Sequence, residues 1–151
     1  MGLASIFVFL FGLAVGSFLN AVIYRLALAE GLVSHVRDRE RKVPVSPFRG
    51  RSFCPRCGHT LSWRDLIPVA SFLLLGGKCR YCKARISMQY PLVELATAFI
   101  FLAIFSTKGG SASGGNFEFF TLVYLFTIAS LLIVLFVYDL KHYILPDKIL
   151  F

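Results

Sequence analysis

The sequence predicts an all-α polytopic membrane protein that carries a small zinc-ribbon-like cytoplasmic loop domain, and three observations predict it. The 151-residue chain is 57% hydrophobic and 15% aromatic, with a mean hydropathy of +0.73, far from the averages of soluble domains. Charged residues make up 16% of it, against roughly 25% in ordinary domains, and they are segregated. Thirteen of the 16 Lys and Arg fall between Arg25 and Arg85, where only Glu30, Asp38, Glu40 and Asp65 oppose them. All four cysteines sit in the same basic stretch as two C-x-x-C pairs. This composition excludes a disordered chain, a collagen-like chain and a secreted disulfide knot, and it leaves little room for a large soluble core.

The elements follow in chain order. Leu3 to Tyr24 is an apolar run broken only by Ser5, Ser17, Asn20 and glycines, long enough for a bilayer span of about 20 residues. A signal peptide is the competing reading, since Ala27-Leu28-Ala29 resembles a cleavage site. Against it, no basic side chain precedes the run, and the run exceeds an h-region of about 7–15 residues. The first Arg follows the span, so the positive-inside rule keeps the basic loop cytoplasmic and the short N-terminus outside. Within that loop, Leu66 to Leu75 is apolar but too short to span. It reads as an interfacial helix with Trp63 at headgroup level, the alternative being a buried strand or helix of a small loop domain. A second span starts near Tyr90-Pro91 and carries Glu94 near its cytoplasmic end. The Gly/Ser-rich segment from Lys108 to Asn116 is an external linker. Phe119 to Tyr138 is a 20-residue span without a charge, and it returns Asp139, Lys141 and His142 to the cytoplasmic side. The expected division is 1–25 (first transmembrane helix), 26–89 (basic domain with the metal site and interfacial helix) and 90–107 (second transmembrane helix). It continues with 108–118 (external loop), 119–139 (third transmembrane helix) and 140–151 (start of a truncated fourth helix).

Cys54-Pro-Arg-Cys57 and Cys79-Arg-Tyr-Cys82 are separated by 21 residues. Two residues between ligands let both thiolates face one ion, and two such turns supply a tetrahedral four-thiolate zinc site. Two disulfides or four free thiols are the alternatives; a reducing cytoplasmic loop disfavours the disulfides. A closed thiolate shell leaves no position for water, so the zinc is expected to organise the loop rather than perform chemistry. A basic zinc ribbon also invites a nucleic-acid reading. The flanking spans, however, make the lipid bilayer the nearer partner and explain the charge by topology, so no nucleic acid is expected.

Asp139 ends an apolar helix at the cytoplasmic face, where an ionisable group is a functional hypothesis by default; the bland alternative is an interfacial cap or a pair with Lys141. Asp147 after Pro146 reads as a cap for the next helix, and His142 as an interfacial side chain. Glu94 reads as paired with a basic residue at the interface, with substrate-amine binding as the alternative. Carboxylate-driven peptide hydrolysis needs two carboxyls, one ionised and one protonated. Asp139 and Asp147 would stand about 12 Å apart on a helix, so Asp147 is a poor partner.

Four ordered motifs resemble type IV prepilin peptidases, the leader peptidase/N-methyltransferases. They are Gly16-Ser-Phe-Leu-Asn20-Ala-Val-Ile-Tyr-Arg25, the twin C-x-x-C pair around Trp63-Arg-Asp-Leu-Ile-Pro-Val-Ala-Ser71, Arg85-Ile-Ser-Met-Gln-Tyr-Pro-Leu-Val-Glu-Leu-Ala-Thr97, and Asp139-Leu-Lys-His-Tyr-Ile-Leu-Pro-Asp147. The resemblance implies a bacterial inner-membrane aspartic peptidase. Such an enzyme removes the leader of prepilins and pseudopilins on the cytoplasmic side and methylates the new N-terminal amine with S-adenosylmethionine. It implies that Asp139 is the first catalytic aspartate and that Cys54, Cys57, Cys79 and Cys82 are the metal cysteines. Its clients would serve type IV pili, type II secretion or DNA uptake.

The family's second aspartate lies in a Gly-Asp segment, and no Gly-Asp dipeptide occurs in this chain. The expectation is an N-terminal fragment of a longer enzyme, inactive by itself. No glycine-rich cofactor loop marks a site for the methyl donor. The competing class is a non-enzymatic zinc-ribbon membrane adaptor of a pilus or type II secretion system; a dimer pairing two Asp139 residues is a third arrangement.

Overall fold

The computed structural model describes residues 2–29, 52–108 and 116–142. The basic run 30–51, most of the expected external loop, Asp147 and the expected fourth helix lie outside the described residues, as do the side chains of Lys141 and His142. Four α-helices follow in order: α1 (Leu3–Ala29), α2 (Ala70–Leu74), α3 (Gln89–Lys108) and α4 (Asn116–His142), with a 3-10 turn at Trp63–Leu66. Among the described residues there is no strand, only the isolated bridges Phe53–Thr60 and Lys78–Arg85. Among the described residues, three helices are long and apolar enough to cross a bilayer, over Leu3–Leu28, Gln89–Thr107 and Phe119–Leu140. The chain is an all-α membrane protein with a four-cysteine loop domain. Helix α1 continues past Arg25 because Leu26-Ala-Leu-Ala29 contains good helix formers and neither Gly nor Pro to stop it.

Helices α1 and α3 form the main seam. A Cβ on Gly12 would come within 2.6 Å of the Ala98 Cα, and one on Gly16 within 2.7 Å of the Glu94 Cα. The Asn20 amide donates to the Tyr90 carbonyl at 3.0 Å. Residue numbers rise along α1 as they fall along α3, so the pair is antiparallel. The backbones approach this closely because Gly12-Leu-Ala-Val-Gly16 presents two glycines four residues apart on one helix face, a pattern that favours tight packing in a bilayer. Helix α4 joins more loosely. Phe126 stacks on Phe101 with ring centroids 4.2 Å apart, and Ile133 completes a core with Leu19 and Val93. Leu131, Leu132, Leu135 and Phe136 of α4 stay exposed, as lipid-facing side chains do.

Candidate metal centre and adjoining cavity

Each C-x-x-C pair is built the same way. In the first, the Cys54 N–H donates to the His59 carbonyl and the Gly58 N–H to the Cys54 carbonyl, both at 2.9 Å. In the second, Cys79 donates to Ala84 at 2.8 Å and Lys83 to Cys79 at 3.0 Å. The residue after each second cysteine is left-handed, Gly58 at φ 68° and Lys83 at φ 59°. That turn aims both sulfurs of a pair to one side. The His59 and Tyr81 rings, 3.7 Å apart between centroids, hold the two knuckles together.

The four Sγ atoms all lie within 4.8 Å of one another, and those of Cys54 and Cys82 are 3.8 Å apart. A tetrahedron with Zn–S bonds of about 2.3 Å has edges of about 3.8 Å, so the cluster has the dimensions of a four-thiolate zinc site. Cys54 and Cys79 are buried, whereas Cys57 and Cys82 are exposed. Burial pushes the Cys54 thiol up to about 12, despite N–H donors from Cys57 and Arg56. Burial acts on Cys79 in the same direction, but the N–H groups of Cys82 and Tyr81 and the neighbouring thiols outweigh it and bring Cys79 down to about 7. Binding of a metal ion by these thiols requires that they lose their protons.

Two carboxylates tie this centre to its surroundings. Asp65, with a side chain 4% exposed, accepts from the Ser62 N–H at 3.1 Å, the Ser62 hydroxyl at 2.9 Å and Arg80 Nε at 2.7 Å. Tyr81 adds a hydroxyl at 3.3 Å. Desolvation opposes the Asp65 charge, but these donors hold its carboxyl below the usual range. Among the described residues no basic side chain pairs with Glu94, where the sequence suggested one at the interface. Glu94 Oε2 accepts the Val69 N–H at 2.7 Å. Val69 sits at φ 56°, ψ −47°, and the Ala70 N–H donates back to the Pro68 carbonyl. This is a γ-turn of positive φ, strained for a β-branched residue by about 1–3 kcal/mol. The hydrogen bond that the Val69 N–H donates to Glu94 offsets that strain and pins the start of α2 to α3.

Between the knuckles and the ends of α1 and α3 lies a cavity of about 600 Å³, within the size range of small-molecule sites. Ser17, Asn20 and Glu94 line it on the membrane side, and Cys54 and Cys79 line it on the metal side. Sequence reasoning brought the four cysteines together correctly but missed Asn20 and Asp65 as structural partners. For Asp65 a signal existed, Ser62-Trp-Arg-Asp65 having the spacing of a capping box; Asn20 offered only its polarity within an apolar span. Asp139 is exposed on the last turns of α4 and does not line the cavity.

A family model described as the bacterial peptidase A24 N-terminal domain matches residues 10–107. A protein of Myxococcus xanthus (strain DK1622), named prepilin leader peptidase/N-methyltransferase, is 41% identical over 144 residues, covering 95% of this chain and 36% of its own length. One of the same name from Klebsiella pneumoniae is 37% identical over 143 residues, with coverages of 93% and 54%. A type 4 prepilin-like proteins leader peptide-processing enzyme of Escherichia coli O78:H11 is 45% identical over 96 residues, covering 60% and 35%. The chain thus spans about a third to a half of the relatives it matches. No solved structure matches.

Proposed function

The chain belongs to the bacterial A24 peptidase N-terminal domain family, and from that premise we propose that it works within an inner-membrane aspartic peptidase. The enzyme removes the leader of type IV prepilins or pseudopilins at the cytoplasmic face and N-methylates the residue that cleavage exposes. One observation carries this reading: the stretch that matches the family holds a four-thiol cluster of zinc dimensions directly against a cavity at the membrane boundary. The basic loop faces the cytoplasm because Lys and Arg concentrate there.

Cys54, Cys57, Cys79 and Cys82 hold zinc as a structural ion, since four thiolates close its coordination shell. Asp139 supplies one carboxyl of the hydrolytic pair. Such a pair splits its roles, one member activating water and the other donating a proton to the carbonyl. The family's second aspartate lies in a Gly-Asp segment, which this chain lacks, so the second carboxyl is expected in the portion of the relatives that this chain does not span. S-adenosylmethionine supplies an electrophilic methyl group when bound, and the task of this chain's residues is to hold and orient the reacting amine.

The test replaces Asp139→Asn in the chain completed to the length of its relatives. Leader removal from a prepilin should fall by roughly 10²-fold or more. Retained cleavage rejects the assignment and favours the non-enzymatic adaptor.

A further inference from the structure

Among the described residues, two acceptors on the membrane side of the cavity are incompletely answered, one without a countercharge and one without a donor. Glu94 is 6% exposed, and its donor among the described residues is the uncharged Val69 N–H. Among the described residues, no cationic side chain pairs with it. A buried carboxylate without a countercharge is costly, more so at membrane depth. Asn20 is 3% exposed and uses its amide nitrogen on the Tyr90 carbonyl. That bond fixes which way the amide faces and leaves Oδ1 buried with no partner among the described residues. Buried polar atoms are nearly always satisfied, so each exception calls for an explanation.

The two groups are neighbours across the seam. Asn20 is bonded at Tyr90, and Glu94 stands one turn further along α3, opposite Gly16. A single guest that both donates hydrogen bonds and carries positive charge answers both. Arg25, Arg56, Arg80 and Arg85 also line the cavity, and their field opposes any cation, so the positive charge must be held by direct contact with Glu94. A bare ion gains that contact alone, whereas an organic body that carries the charge also buries apolar surface against Phe53 and Phe72.

We infer that this cavity is a recognition site for a primary α-ammonium group, held between the Glu94 carboxylate and Asn20 Oδ1. The inference deepens the proposed methyl transfer and rests on it, because both reactants of that transfer carry such a group: the freshly cut peptide at its N-terminus and S-adenosylmethionine at its amino-acid end. The shared chemistry is the ammonium, and the experiment separates its two sources.

Binding is measured by calorimetry on the zinc-loaded chain, completed to the length of its relatives, in lipid nanodiscs. The probes are a phenylalanine-initiated apolar hexapeptide, its Nα-acetylated form and S-adenosylmethionine. The free peptide, S-adenosylmethionine or both should bind, and Glu94→Gln should weaken that binding by about tenfold or more, the scale of one lost charged contact. Acetylation should weaken the peptide similarly. Gln retains an oxygen for the Val69 N–H, so the melting temperature should hold; Asn20→Leu removes the other acceptor and gives an independent readout. Loss confined to the peptide assigns the site to the methyl acceptor, and loss confined to S-adenosylmethionine assigns it to the donor. The inference is overturned if no probe binds, or if binding is indifferent to acetylation and to both substitutions. Methyl transfer is followed by mass spectrometry in the same preparation. Transfer without ammonium selectivity defeats this inference and leaves the proposed function standing, whereas selectivity without transfer does the reverse.

Discussion

Asp65 gathers Ser62, Arg80 and Tyr81 at one carboxylate, so a single residue joins the Trp63–Leu66 turn to the second knuckle. Arg80 is 48% exposed, and its ion pair alone contributes little in water; the hydrogen bonds from Ser62 matter more. Asp65→Asn should therefore destabilise the loop domain by roughly 1–2 kcal/mol, the scale of a lost cap. Because folding lowers the Asp65 pKa from 3.8, its stabilisation is present above that value and is lost as pH falls through the lower, folded value. In urea unfolding of the metal-free protein, the gap between wild type and Asp65→Asn should close on acidification below 3.8. A gap that stays constant with pH would mean that the charge plays no part. Lys83 makes a related point, since it occupies the left-handed position that Gly58 fills in the first knuckle, at a cost glycine avoids.

At the level of elements, the α1–α3 seam depends on what is missing from Gly12 and Gly16. In a bilayer no hydrophobic force drives helices together, so close backbone contact supplies the attraction. A side chain at Gly16 would strike the backbone of α3, which cannot move aside as a flexible side chain can. Gly16→Leu should lower stability by about 1–3 kcal/mol or more, seen as an earlier thermal melt of the detergent-solubilised protein. Gly2→Leu, where nothing lies within 4 Å, should melt like wild type, and matching melts for the two variants would refute the seam. Helix α2 is short, and Leu73 and Leu74 are 70% and 85% exposed. An interfacial placement of this segment accounts for that exposure, because leucines left in water would gain nothing from folding.

For the whole molecule, the metal centre and the membrane helices meet at one cavity, so removing the metal should be felt at that cavity before it is felt in the spans. Changing Cys54→Ser together with Cys57→Ser in the chain completed to its relatives' length should abolish zinc binding, measured by atomic absorption. It should reduce N-methylation by at least about tenfold more than leader removal; equal loss of both would point to general misfolding. The sequence by itself determined that the chain is an all-α membrane protein with long apolar helices and that its four cysteines cluster. Those properties depend on local runs of apolar residues and on the two-residue spacing within each pair, quantities that are written contiguously along the chain. Family membership was equally legible, because four motifs in order are a sequence property. Only the tertiary structure decided that Glu94 bonds the Val69 N–H, that Asn20 Oδ1 is buried without a partner among the described residues, and that Asp139 is not among the residues lining the cavity. The partners in these cases are separated by tens of residues, and they meet because Gly12 and Gly16 let α1 and α3 touch. A buried polar atom's bonding is set by whatever chain arrives beside it, and periodicity within one helix carries no record of that.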